Sequence, residues 1–177
     1  FKAIEVIARV PYQSWEVAAY TLVSAFHGNE KMAIELCKTS AFSRFAQDNE
    51  TMHVVVISHL ARKKSDHGLF RFTLIPLIFA LFYFWAIYFL YMISHKAALE
   101  LNYLFESHAY DQYQEFIDTN EEILKQTPIM SDFLAFYGRN VKSEYEFFET
   151  VRNDELIHRN RSIRELEVSG TRIKPTH

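Results

Sequence analysis

Two short segments of the sequence place a glutamate three residues before a histidine: Glu50-Thr-Met-His53 and Glu155-Leu-Ile-His158. On a helix, residues at this spacing lie on one face about 5 Å apart. A carboxylate and an imidazole at that separation can bind the same metal ion. The two segments therefore predict a metal site to which two helices contribute ligands.

Two more glutamates, Glu5 and Glu106, each lie on the apolar stripe of a segment with helical periodicity. A single glutamate of this kind is usually a surface or salt-bridged residue. A single histidine is more often a core residue whose ring nitrogens are hydrogen-bonded. The joint pattern instead matches the ferritin-like di-iron bundle, in which two helices supply one Glu each and two others supply Glu-x-x-His. The six candidate ligands of two iron ions are Glu5, Glu50, His53, Glu106, Glu155 and His158.

Three further residues are placed to assist such a site. Asn49 and Asp154 each precede a candidate ligand glutamate, a position from which a side chain can orient the ligand. Tyr113 follows Glu106 by seven residues, so it points the same way about 10 Å along the helix axis. We expect Tyr113 to assist electron and proton transfer, and the alternative is an aromatic residue of the helix face.

The candidate ligands require long helices, and the composition favours them, because the chain has only four Gly and four Pro. The fold class that follows is an all-α, ferritin-like four-helix bundle with one added apolar helix. Pro11 is expected to kink the first helix, since it lacks a backbone N–H. Ser40 is the expected N-cap of the second helix, after a short helical stretch and a loop. The predicted helices span residues 1–26, 40–63, 95–118 and 141–167, with a less regular connection over 119–140.

The segment Thr73–Ser94 contains 22 residues without a charge and is rich in aromatic residues. About 20 apolar residues are enough to cross the hydrocarbon core of a membrane. The same segment could also form a buried core helix, or a helix that lies in one leaflet beside amphipathic neighbours. Length alone does not distinguish these three structures.

Size and charge limit the remaining possibilities. We expect one domain over residues 1–168 and a polar tail over 169–177. The formal net charge of −3 disfavours a nucleic-acid partner. Because helical periodicity is already present at Phe1, we expect further residues upstream of it.

The motifs resemble those of the alternative oxidases, and within them the plastid terminal oxidase branch. Glu5-Val-Ile-Ala-Arg-Val-Pro-Tyr12 resembles the first-helix motif, and Asn49-Glu50-Thr-Met-His53 the Asn-Glu-x-x-His signature. Glu106-Ser-His-Ala109, followed by Tyr113, resembles the third motif, and Asp154-Glu155-Leu-Ile-His158 the fourth. The resemblance covers the chain from residue 1 to about residue 165.

The resemblance implies a membrane-bound enzyme that oxidises plastoquinol or ubiquinol and reduces dioxygen to water at a di-iron centre, without pumping protons. It also implies that the first helix and the segment 73–94 lie in one leaflet of a lipid bilayer, in a homodimer or a larger membrane complex. The expected location is the plastid thylakoid, with the mitochondrial inner membrane second. Because the quinol pocket of the family lies beside the third-motif helix, the resemblance places Phe105, Ala109 and Gln112 near the substrate.

Departures from the family leave two other functions open. The segment between Glu5 and Glu50 is several residues longer than usual, and Gln112 stands where mitochondrial relatives have Thr. The first alternative is an oxidase-derived structural or docking subunit of a larger photosynthetic or respiratory membrane complex. The second is a soluble di-iron protein of the ferritin or hydroxylase kind, which the uncharged aromatic segment disfavours.

Overall fold

A computed structural model describes the chain over residues 2–64 and 70–168. Within these ranges the chain is helical and has no β-strand, which confirms the all-α prediction. The predicted tail over residues 169–177 lies outside the described residues. The helices are α1 (Lys2–Ala8), α2 (Val10–Phe26), α3 (Glu30–Lys64), α4 (Ile75–Ile93), α5 (His95–Gln126), α6 (Asp132–Phe136) and α7 (Glu144–Val168), and a π-helical segment (Phe70–Leu74) precedes α4.

The chain divides into two compact units, Phe1–His95 and Lys96–His177. In the first unit, α1 and α2 both pack against α3 and α4. Helices α1 and α2 run antiparallel to α3, because Glu5 lies near His53 whereas Glu16, further along the chain, lies near Arg44. This direction brings α1 beside the part of α3 that carries the first Glu-x-x-His motif.

The first predicted helix is interrupted at Arg9, between α1 and α2. Pro11 lies in the first turn of α2, where a missing N–H removes no helical hydrogen bond. The interruption is thus where the proline was expected to distort the helix. Beyond it, the aromatic rings of Tyr12 and Trp15 are buried and meet edge to face, with centroids 5.6 Å apart.

The second predicted helix begins at Glu30, so the prediction of a loop before Ser40 is wrong. Residues 30–39 contain neither Gly nor Pro and hold no signal that would end a helix. Asn29 caps the helix instead, because its Oδ1 accepts a hydrogen bond from the Met32 N–H at 3.2 Å. Ser40 lies inside the helix, where its hydroxyl oxygen accepts a hydrogen bond from Arg44 Nη1 at 3.0 Å.

Helix α5 also extends further than predicted, to Gln126 rather than to about residue 118. Asn120 is accommodated in the helix because its side-chain amide donates to the Phe116 carbonyl at 2.8 Å. Leu124 is buried and so gives the last turns an apolar contact. The helix ends at Gln126, before Thr127-Pro128, because a proline disfavours the helical conformation of the residue that precedes it.

In the second unit, α5 and α7 pack antiparallel. Asn102 Nδ2 donates to Ser162 Oγ at 3.2 Å, and Arg152 Nη1 donates to Gln114 Oε1 at 2.8 Å. Residue numbers therefore rise along α5 as they fall along α7. Glu106, between Asn102 and Gln114, consequently faces the part of α7 that carries the second Glu-x-x-His motif.

Candidate metal centre

Helices α1 and α3 bring three of the predicted ligands together in the first unit. His53 Nδ1 lies 3.6 Å from Glu50 Oε2 and 3.8 Å from Glu5 Oε2. Each of the three residues offers one ligand atom within 4.8 Å of the others, and all three side chains are buried. Glu50 and His53 share a face because they are one helical turn apart, and the antiparallel α1 supplies Glu5 from the side.

Helices α5 and α7 bring the other three predicted ligands together in the second unit. Ligand atoms of Glu106, Glu155 and His158 lie within 4.8 Å of one another, and the three side chains are buried. The antiparallel register of the two helices sets this arrangement. The second unit therefore repeats the chemistry of the first: two carboxylates and one imidazole in a site shielded from water.

The donor sets fit a divalent metal ion. Two carboxylates side by side in an apolar environment repel each other, and burial disfavours their charged forms. A divalent cation compensates for both charges, and carboxylate oxygen with neutral imidazole nitrogen suits iron, manganese and zinc. Each unit can thus hold one such ion with three protein ligands, and iron is among the metals that the donors accept.

Of the residues predicted to assist the site, Asn49 and Tyr113 are buried beside the motifs. The Asn49 Nδ2 atom is shielded from water and has no hydrogen-bond acceptor among the described residues. The Tyr113 ring lies in the interface between α5 and α7, with its centroid 6.2 Å from that of Phe148. The orienting role of Asn49 and the redox role of Tyr113 stay predictions.

Asp154 forms an ion pair that was not predicted from the sequence. Arg139 Nη2 lies 2.6 Å from Asp154 Oδ2, and the two side chains are 25% and 8% exposed. Arg139 follows Gly138, which has the positive φ angle of 69° that glycine tolerates. Arg139 lies in the connection after α6, whereas Asp154 lies in α7, and the two residues share no sequence motif. The pair could therefore be identified only from the folded structure. Arg139 holds the side chain that immediately precedes Glu155.

The three residues expected near a quinol share one face of α5. Phe105, Ala109 and Gln112 follow the four- and three-residue spacing that aligns side chains on a helix. Phe105 and Ala109 are half-buried, and Gln112 is exposed. Their contact with a substrate stays a prediction.

Helix α4 has the length and composition of a helix that crosses a membrane. Its mean hydropathy is 2.0, and only 17% of its apolar window is buried within the protein. A core helix of a soluble protein would be mostly buried, so this exposure disfavours the core alternative. Its exposed face carries large apolar side chains, including Leu77, Leu81, Phe82 and Phe89.

The helical fold and the two buried sets of side chains define a helical protein whose glutamates and histidines could hold metal ions. The family model for alternative oxidase matches residues 3–165, and the chain belongs to that family. Among curated proteins, it is 28% identical over 153 residues to "Ubiquinol oxidase 4, chloroplastic/chromoplastic" of Arabidopsis thaliana, a match that covers 86% of this chain and 40% of the relative. The chain thus spans less than half the length of that relative. No solved structure gives a significant match.

Proposed function

We propose that this chain is a membrane-attached quinol:dioxygen oxidoreductase with a di-iron carboxylate centre. One observation carries the proposal: a chain of the alternative oxidase family has two buried sets of ligands, each with two glutamates and one histidine. In the net reaction, two quinols lose four electrons and four protons, and these convert one dioxygen molecule into two water molecules. No proton is pumped in this scheme.

In this proposal the two sets of ligands together hold two iron ions. The four glutamates balance the four positive charges of two ferrous ions, so the loaded site is nearly neutral and suits an apolar interior. When bound, the irons would supply the electrons that begin the reduction of dioxygen without release of superoxide. The proposed ligands are Glu5, Glu50, His53, Glu106, Glu155 and His158.

Other residues are proposed to position the ligands and to move protons. Asn49 and Asp154 orient the ligand glutamates that follow them, and Arg139 fixes the carboxylate of Asp154. Tyr113 donates a proton from its phenol group and an electron from its ring. Its burial supports this role, because water is kept away from the phenol.

The substrate is proposed to be plastoquinol, with ubiquinol as the second candidate. The resemblance of the first and third motifs to the plastid branch supports plastoquinol, whereas the name of the Arabidopsis relative specifies ubiquinol and a chloroplast or chromoplast location. Phe105, Ala109 and Gln112 are the proposed contacts of the quinol. The thylakoid is the proposed location, with the mitochondrial inner membrane second.

The chain is proposed to bind one leaflet of the membrane through α4 and the first helices. The exposed apolar side chains of α4 support this attachment, because a large exposed apolar surface marks a membrane or protein contact. A homodimer or a larger membrane complex is the proposed assembly.

Oxygen uptake by the purified, detergent-solubilised protein tests the proposal. We expect iron-loaded protein to consume dioxygen when a plastoquinol analogue is added, and Glu155→Ala to abolish this uptake by removing a ligand. Glu167→Ala is the matched control, because it removes an exposed glutamate from the same helix. Full iron content without quinol-dependent uptake would refute the oxidase and favour the docking subunit.

A further inference from the structure

A cavity of about 460 Å³ opens on the first unit beside α4, and none of its lining residues is a predicted ligand. Its volume is within the range of ligand pockets, roughly 300–1,000 Å³. Helices α1, α2, α3 and α4 all contribute to its wall. The lining residues are Val6, Arg9, Val10, Gln13, Val54, Leu77, Ala80, Leu81 and Phe84.

The lining is apolar except for two side chains, Arg9 and Gln13. These two residues are four apart, a spacing that puts side chains on the same side of a helix. Among the residues that line the cavity, Arg9 is the one charge, and no carboxylate opposes it. Within the described residues, Arg9 forms no ion pair or side-chain hydrogen bond. No described residue therefore competes with an external anion for the guanidinium.

The position of the cavity indicates the kind of molecule that carries this anion. Leu77 and Leu81 are exposed residues of α4, on the helix with the composition of a membrane segment. A cation beside such a helix is costly in hydrocarbon unless it reaches the interface or finds a counter-ion. Arginine matches a phosphate group well, because it can donate two parallel hydrogen bonds.

We propose that this cavity binds an anionic membrane glycerolipid. The headgroup phosphate lies on Arg9 and Gln13, and an acyl chain follows the apolar wall formed by Leu77, Leu81 and Phe84. Basic pockets beside membrane helices recognise anionic headgroups in this way. The site rests on the membrane attachment proposed above, and none of its lining residues is among those proposed to contact the quinol.

Vesicle flotation tests the site with two lipid compositions: phosphatidylcholine alone, and phosphatidylcholine with one-fifth phosphatidylglycerol. We expect the full chain to float with both and to bind the anionic vesicles more tightly. Arg9→Gln should reduce that preference about fivefold, the effect of losing one arginine contact at an anionic surface. Arg44→Gln is the control, because it removes the same charge from the same unit at a side chain that is 60% exposed.

Native mass spectrometry of the detergent-solubilised protein locates the lipid. Phosphatidylglycerol should remain bound to wild type and to Arg44→Gln, but should be lost from Arg9→Gln. The lipid should also be lost from Leu81→Trp, because the larger indole would occupy the apolar part of the cavity. Arg9→Lys keeps the charge and should retain part of the preference, which separates the site from a folding defect.

Four outcomes would overturn the lipid site. Equal losses in Arg9→Gln and Arg44→Gln would mean that only the net charge of the surface matters. Unchanged lipid retention with a raised KM for quinol in Arg9→Gln would assign the cavity to quinol. Failure to float with either vesicle would refute both the lipid site and the membrane attachment, whereas flotation without lipid preference would refute the site alone.

Discussion

The ion pair between Arg139 and Asp154 should contribute more to stability than an exposed pair of the same length. Its N–O distance is 2.6 Å, and the side chains are 25% and 8% exposed. Lys38 and Glu35 form a pair at 2.7 Å with side chains that are 57% and 64% exposed. The two ion pairs therefore have nearly the same N–O distance and differ mainly in the burial of their side chains.

The expected magnitudes follow from burial. Breaking a fully buried pair costs about 3–5 kcal/mol, and an exposed pair is worth about 0.2–1 kcal/mol. Because a quarter of Arg139 is exposed to screening solvent, we expect a coupling free energy of about 2 kcal/mol. The pair on α3 should couple by about 0.3–0.5 kcal/mol.

Double-mutant cycles measure these couplings. Arg139→Gln, Asp154→Asn and the double variant form one cycle, and Lys38→Gln, Glu35→Gln and their double variant form the control. The cycle cancels the other interactions of Asp154, which single substitutions do not. Arg139→Gln alone should lower the thermal midpoint by about 4–8 °C, since 1 kcal/mol corresponds to about 2–4 °C at this chain length. Equal coupling in the two cycles would refute the role assigned to burial.

Three other substitutions test single features of the structure. Gly138→Ala should destabilise the protein by about 1–2 kcal/mol, because the φ angle of Gly138 is 69°. Gly28→Ala is the control and should leave the urea midpoint unchanged or raise it, because Gly28 has no positive φ and no atom within 4 Å of the added Cβ. Equal effects of the two substitutions would contradict this reasoning. Asn29→Ala should cost about 0.5–2 kcal/mol through loss of the α3 cap, and an unchanged urea midpoint would show that the cap contributes nothing. Tyr113→Phe should retain iron but lose most quinol-dependent oxygen uptake, and full uptake would exclude the phenol from proton transfer.

Periodicity was sufficient to predict which faces of the helices are buried. The stripe through Glu50 and His53 and the stripe through Glu155 and His158 are both buried, as expected from apolar residues at three- and four-residue steps. Helix ends were predicted less well. Ser40 looked like an N-cap, but a good cap residue inside a run of helix formers does not end the run, and Asn29 caps the helix instead.

The pairings between distant residues could not be predicted from local patterns. Arg139 lies in a connection that was predicted only to be irregular, and it contacts Asp154 because α6 and the following turn fold back on α7. The cavity beside α4 likewise requires four helices to meet around Arg9. The motif residues could be predicted because helical spacing fixes them, whereas these contacts depend on tertiary packing.

Iron content and magnetic coupling test the central claim most directly, which is that both sets of ligands form one di-iron centre. We predict about two irons per wild-type chain. The oxidised protein should give no ferric signal in electron paramagnetic resonance, because adjacent ferric ions couple antiferromagnetically. His53→Ala and His158→Ala should each lose the coupled pair, although they alter different units. A ferric signal from isolated ions in wild type, with one iron retained in each variant, would contradict the claim and assign one independent metal ion to each unit.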